Sequence, residues 1–469
     1  MLELVFVIPF LIGIVAFFSP VMMGRILLVA TGIIEFALAC MAAWTTRLPA
    51  ATFYFTAAPE GCLVLLVTTF LFLIIGLYTL FYLVETDMPR EHVFNGCLLL
   101  FLGAMAMVAV SDHLVVLWVA IEATTLTSAP LILLYHSKGS LEATWKYVLI
   151  CSVGIALALL GTFFITLAME HGSINVPLTF SSLQEVAGGM DALWLKVGFI
   201  FIMVGYGTKM GLAPMHTWLP DAHGESPSPV SALLSGALLN CAFLGIFKSY
   251  AILHAAGMAQ WAGNMLVGFG LFSMLIAGVF MMIQKDYKRL FAYSSIENMG
   301  IIAVGTGLGG LAGLGAMVHL VHHSLLKAAL FLSTGNILFG YGTKEIGKVG
   351  GMAGLLPMTF IGFTCGFAGI SGFPPFGLFV SELLILFGAF KNHSFFTAAA
   401  FILLLILIFA GISKHFIRMA FAGRDAKLIR EERLGRIFPV FILLAASILL
   451  SLWLPEPLRR TILDAISRI

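Results

Sequence analysis

Charge is what this sequence is short of: 10% of its 469 residues are Asp, Glu, Lys or Arg, whereas 60% are hydrophobic. Soluble domains carry roughly 25% charged residues. No polar stretch is long enough for a separate soluble domain, so the chain reads as one polytopic helical membrane protein. Iron–sulfur ligation is argued against by the six cysteines, which are scattered through apolar segments without any Cys-x-x-Cys pair and read as packing residues. The first apolar run has no basic stretch before it and no small-residue cleavage site after it, so no cleaved signal is expected. A net charge of +2 says little about partners. The membrane itself is the expected environment, and no nucleic acid, metal or cofactor is expected.

Apolar runs able to span ~30 Å of hydrocarbon recur from end to end. They predict about fourteen spans, near residues 2–18, 21–43, 62–84, 93–111, 113–135, 147–169, 194–213, 230–254, 262–284, 291–308, 311–339, 355–390, 394–420 and 437–454. Sixteen Lys and Arg fall in loops after odd-numbered spans and six on the opposite side; Lys209, Lys248 and Lys327, within spans, complete the 25. The positive-inside rule then places both termini outside, periplasmic in the inner membrane of a Gram-negative cell. The tract Arg424–Arg436, the longest charged stretch, reads as a solvated loop on the cytoplasmic side.

Two spans are abnormal. The first breaks at Pro214 within Gly205–Pro229, which also contains Pro220, Pro227 and Pro229, and places Lys209 at membrane depth. The second is split by Gly369-Ile-Ser-Gly-Phe-Pro374-Pro375-Phe-Gly377. A helix break frees backbone groups that lipid cannot satisfy, so it belongs where protein or a wet cavity receives them. The two breaks are five spans apart, which predicts two inverted five-helix repeats, each containing a broken helix. The expected divisions are flanking helices 1–92, a first repeat 93–254, an inverted second repeat 255–420, and a loop with the last span 421–469.

The few ionisable residues inside spans are the candidate site. Each costs about 2.5–3.5 kcal/mol at the bilayer centre on insertion scales, so an unpartnered one implies a role. Glu122 lies mid-span and Lys209 beside the first break. A carboxylate near an ammonium suits proton exchange, and the bland alternative is a buried pair that fixes helix register. His319, His323 and Lys327 recur at i, i+4 and i+8 on one helical face with His322 flanking it, a ladder of titratable groups. The i, i+4 histidines alone would suit a metal, but no third ligand accompanies them on that segment. Glu382 follows the second break, at a place that resembles that of Lys209 beside the first. Lys248 lies nearer a span end, where snorkelling to the interface is the bland reading, and Asn240 is a neutral group able to bridge.

The stretches Lys209–His223, Ser226–Ser235, Asp286–Gly300 and His323–Gly335 resemble the antiporter-like, proton-translocating membrane subunits of respiratory complex I, group 4 hydrogenases and Mrp-type cation/proton antiporters. The resemblance covers roughly spans 3 to 13. Within that family Leu234–Gly245 and Ile296–Ile302 are similar to component F of hydrogenase-4 and formate hydrogenlyase. The resemblance implies a Glu122–Lys209 pair in spans 5 and 7, a central Lys327 with His319, His322 or His323 in the connecting relay, and a terminal Glu382. Where several complex I members place a lysine or histidine in the eighth span, this chain has Asn240, so Lys248 or water is expected to supply that link. It also implies neighbouring antiporter-like and anchor subunits, peripheral iron–sulfur or hydrogenase-type subunits, and electron transfer confined to them. Some relatives continue into a long lateral helix; here direct contacts between subunits are expected instead. A Na⁺/H⁺ antiporter of Mrp type and a non-translocating or quinone-binding scaffold are the alternative readings.

Overall fold

A computed structural model describes residues 2–44, 52–86, 88, 90–421 and 429–469. Arg47, Arg424 and Lys427, counted in the charge asymmetry, lie outside the described residues. Helices dominate because in hydrocarbon a helix satisfies its own backbone groups. Among the described residues, β-pairing is limited to isolated bridges such as Phe55 with Ser111.

The chain begins with α1 (Leu4–Phe18), α2 (Val21–Trp44) and α3 (Pro59–Glu85). There follow α4 (Glu91–Val110), α5 (Leu114–Ile132), α6 (Lys138–His171) and a short α7 (Phe180–Val186). The first broken crossing is α8 (Ala192–Met210) continued by α9 (Trp218–Glu225). The next is α10 (Ser228–Leu233), a wide π turn at Leu234–Leu238, and α11 (Leu239–Ala255). Beyond them lie α12 (Ala259–Met282), α13 (Tyr287–Leu308), α14 (Gly310–Tyr341) and the single turn α15 (Met352–Leu355). The second broken crossing is α16 (Pro357–Ile370) with α17 (Gly377–Lys391), followed by α18 (Phe395–Phe421), α19 (Leu434–Leu452) and α20 (Glu456–Ile466). Among the described residues, eleven helices are long and apolar enough to cross a membrane. With α1, α13 and the α16–α17 pair, they account for the expected spans.

Burial separates the centre from the rim. The α10–α11 crossing is wholly buried and α14 is 89% buried over its apolar window, whereas α2 and α18 are 28% buried. Polar side chains therefore concentrate on the central helices, where protein rather than lipid surrounds them. Close approach needs residues without side chains: a Cβ on Gly161 of α6 would lie 2.7 Å from the Gly198 carbonyl of α8, and one on Gly270 of α12 2.6 Å from the Gly300 carbonyl of α13.

Three expectations change. The sixth span begins at Lys138 rather than near residue 147, so Lys146 lies on α6 and pairs with Glu142 at 2.6 Å and Asp221 at 3.0 Å. The charged tract is not simply solvated at its end. Arg436 is 2% exposed, pairs with Glu85 at 3.1 Å and stacks 4.0 Å from the Phe339 ring centre. Pairing offsets the cost of burying that guanidinium. Finally, α20 follows the last span, burying Thr461, Ile462 and Ala465 on one face while Arg468 reaches Glu60 of α3 at 3.4 Å.

Candidate functional site

The first break is closed by protein. Gly211 adopts φ +84 and ends α8 in the left-handed conformation that glycine tolerates. The Leu212 N–H returns to the Gly207 carbonyl at 2.9 Å, the Trp218 indole N–H donates to the Thr208 carbonyl at 2.8 Å, and the Ala213 N–H reaches Ser273 Oγ of α12 at 2.9 Å. The peptide bond Ala213–Pro214 is cis. Groups that the break would leave bare in lipid are thus satisfied internally.

Lys209, in the last turn of α8, is fully buried. Its Nζ donates to Thr125 Oγ1 at 2.8 Å and to Tyr147 Oη at 2.6 Å, and lies 4.5 Å from the Tyr147 ring centre. Trp218 packs against the same ring at 4.9 Å. Glu122 does not touch Lys209 directly. Its Oε2 accepts the Thr125 hydroxyl at 3.2 Å and its Oε1 the Ser152 hydroxyl at 2.8 Å. Thr125 therefore accepts from the lysine and donates to the carboxylate, a one-hydroxyl bridge between the two charges. Ser128 pairs with Tyr147 Oη at 2.7 Å and extends the network along α5.

Asn240 follows the π turn. Its Nδ2 donates to the Gly236 carbonyl at 2.9 Å and to Ser324 Oγ of α14 at 2.8 Å. Ser324 is one turn from Lys327, so Asn240 ties the first group of helices to the second. π turns often occur at functional positions. Lys248 is eight residues further along α11, about 12 Å at helical rise. It is 1% exposed, donates a short hydrogen bond to the Ser111 carbonyl and lies 5.4 Å from the Phe180 ring centre. Lys248 therefore does not snorkel, and Asn240 rather than Lys248 makes the contact with α14.

On α14, Lys327 is fully buried and donates to the Phe291 carbonyl of α13 at 2.9 Å. The His319 and His323 rings lie nearly parallel with centres 6.5 Å apart. His319 Nε2 faces Asn298 Oδ1 at 3.0 Å and Nδ1 faces Ser381 Oγ at 2.9 Å. Asn298 uses its Nδ2 on the Ser294 carbonyl, so Oδ1 can only accept and His319 Nε2 must donate. Ser381 has a second acceptor, the Leu378 carbonyl at 2.8 Å. Its hydroxyl can donate to a neutral His319 or turn to Leu378 when Nδ1 gains a proton, so the ring stays satisfied in both charge states. His323 is fully buried, with neither ring nitrogen hydrogen-bonded among the described residues. His322 departs from this line: its Nδ1 meets Ser447 of α19 at 3.0 Å.

Glu382 is half-buried on α17, against Gly372 of the second break. It stands after Pro374 and Pro375, joined by a cis bond, whereas Lys209 precedes Pro214. The two positions are therefore not equivalent in their crossings. The distinction was readable from the order of the residues.

Several buried groups escape a reading based on span centres. Glu297 of α13 is 3% exposed and accepts the Ser294 hydroxyl at 3.1 Å; its signal was one acidic residue in an otherwise uncharged span. His223 of α9 is fully buried and stacks 5.0 Å from Phe331, with neither nitrogen hydrogen-bonded among the described residues. Lys288 donates to the Ser226 carbonyl at 2.5 Å, and Glu35 of α2 is fully buried. Outside the spans, burial raises the Asp286 carboxyl above its ordinary range, opposed chiefly by the Arg289 N–H that it caps. Asp221, in the first turn of α9, joins Lys146 and Arg289, and Glu225, its last residue, pairs with Lys344 at 2.9 Å, so α9 is anchored by charge at both ends.

Comparison with known proteins matches residues 111–408 to the family described as NADH:quinone oxidoreductase/Mrp antiporter, TM. The chain belongs to this family. It is 40% identical over 307 residues to a hydrogenase-4 component F homolog of Methylacidiphilum infernorum (isolate V4), covering 65% of this chain and 64% of that protein. It is 32% identical over 330 residues to hydrogenase-4 component B of Escherichia coli (strain K12), covering 68% of this chain and 48% of that one. The chain thus matches between about half and two thirds of the length of these relatives. In fold it is similar to a chain of the Mrp complex from Dietzia sp. DQ12-45-1b, with TM-score 0.87 and 19% identity, covering 100% of this chain and 96% of that one. Relatives of this family member are subunits of multisubunit membrane complexes. The matched region contains both the Lys209 and the Lys327 environments.

Proposed function

We propose that the chain is a proton-translocating subunit of a membrane-bound redox complex of group 4 hydrogenase type. The observation that carries this reading is the bridge Lys209–Thr125–Glu122. A buried ammonium linked to a carboxylate through one hydroxyl allows a proton to leave nitrogen, the threonine to exchange its own proton, and the carboxylate to receive one. Each step conserves protons and needs only short side-chain movements. A change of state in an adjoining subunit that displaces Glu122 or Lys209 would trigger release.

From Lys209 the line continues through Asn240 and Ser324 to Lys327, His323 and His319, and ends at Glu382. Residues 93–254 and 255–420 act as two inverted five-helix units in this scheme, each with one break, at Pro214 and at Pro374–Pro375. Lys248 is a side group of the first unit, and His322, turned to Ser447, packs the last span. Electron transfer takes place in partner subunits, which include other antiporter-like or anchor subunits and peripheral iron–sulfur or hydrogenase-type subunits. The basic-loop asymmetry supports placement in the cytoplasmic membrane with both termini on the outer side.

The test is electron-driven proton uptake by the assembled complex in vesicles, with and without sodium. Proton movement that persists without sodium and is lost in K209M supports the proposal. Strict sodium dependence would favour a Na⁺/H⁺ antiporter, and normal pumping in both K209M and E122Q would leave only a scaffold role.

A further inference from the structure

Glu297 is near the middle of α13, as Glu122 is near the middle of α5. Each carboxylate accepts a hydroxyl from its own helix, Ser294 to Glu297 at 3.1 Å and Thr125 to Glu122 at 3.2 Å. Each lies near a fully buried lysine on a neighbouring helix. Glu297 acts electrostatically on two other groups, Lys327 and Glu382. Its chain neighbour Asn298 bonds to His319, which bonds to Ser381 beside Glu382. The second half thus contains a carboxylate that acts on both its lysine and its terminal acid.

A purely structural ion pair would bring the two charges into contact. Instead Lys327 gives a hydrogen bond to the Phe291 carbonyl, and Glu297 receives one from Ser294. Phe291 and Glu297 are both on α13, so this helix gives Lys327 a hydrogen-bond acceptor in the Phe291 carbonyl and an opposite charge in Glu297. With Lys327, Glu297 and Glu382 all ionised the trio carries one net negative charge, which a single added proton cancels. That is the charge count of a station that takes up and passes on one proton.

We propose that Glu297 is a proton-carrying carboxylate of the second half, receiving the proton that Lys327 releases and passing it by way of His319 to Glu382. In the first step an N–H bond of the Lys327 ammonium breaks and an O–H bond forms on Glu297. In the second that O–H bond breaks and Glu382 is protonated, while the Lys327 amine regains a proton from the Asn240 side. No electrons move. The inference rests on the proton-translocating reading above, and K209M serves as its control.

The test uses the complete complex in vesicles and compares E297Q, E297D and K209M for protons moved per electron. E297Q is expected to lower that ratio at least about tenfold and E297D to restore at least about half of it, at unchanged subunit content. Normal pumping in E297Q with loss in K209M overturns the role of Glu297 and leaves the wider reading intact. Normal pumping in both overturns the two together. If E297Q reduces assembly, the infrared difference spectrum of the complex between two pH values decides: E297D must move a protonated-carboxyl band, and a band pattern identical to wild type refutes the proposal.

Discussion

The two buried lysines are held differently. Lys209 is bound entirely by side chains, the hydroxyls of Thr125 and Tyr147, whereas Lys327 is bound by a backbone carbonyl, that of Phe291. A hydroxyl can both accept and donate, so it relays a proton; a carbonyl only accepts, so it positions the ammonium without passing anything on. The first half is therefore built around a continuous hydroxyl bridge to its carboxylate. In the proposed scheme the second relies on charge acting across a gap and on a histidine with a switchable serine. In the proposed function one scaffold thus carries two designs for the same task.

The comparison is most sharply broken at Lys209. K209M removes the donor of the bridge and is expected to lower proton movement by about a hundredfold or more; pumping near the wild-type rate in a vesicle acidification assay would sink the scheme. T125V is nearly isosteric and leaves both charges in place, so its effect isolates the bridge. A loss of about tenfold is expected, largely recovered in T125S. Were T125V to pump normally, Glu122 and Lys209 would have to communicate directly or through another group. N240L removes the side-chain bond to Ser324 and is expected to cost about fivefold in flux, equivalent to ~1 kcal/mol, with Lys209-dependent steps unchanged. The smallest effect belongs to S447A. It frees His322 from α19, and proton movement should stay within about twofold of wild type if that ring packs rather than relays. A large loss there would return His322 to the path.

Most of the architecture was legible because the solvent imposes it. Apolar runs of span length leave few alternatives, and prolines at 214, 374 and 375 mark the breaks without any coordinates. Glu122, Lys209 and Lys327 stood out for the same reason, as charges in a medium that penalises them. Glu297 satisfied that criterion equally but read as part of a motif. Arg436 was misjudged because its burial depends on Glu85 and Phe339, more than three hundred and nearly one hundred residues away. The reach of Lys248 likewise depends on the α4–α5 connection, which no local pattern reveals.

The sequence by itself determined the membrane environment, the run of helices, the two breaks and the presence of Glu122, Lys209 and Lys327 within spans. It could do so because burial in lipid is a property of each segment taken alone. Only the tertiary structure decided which charges communicate. Whether a threonine stands between Glu122 and Lys209, whether His322 faces the line or the last span, and whether Glu297 lies within electrostatic reach of Glu382 all depend on how helices far apart in the chain are rotated against one another. A rotation of one helix about its axis changes those partners while leaving its hydrophobicity the same.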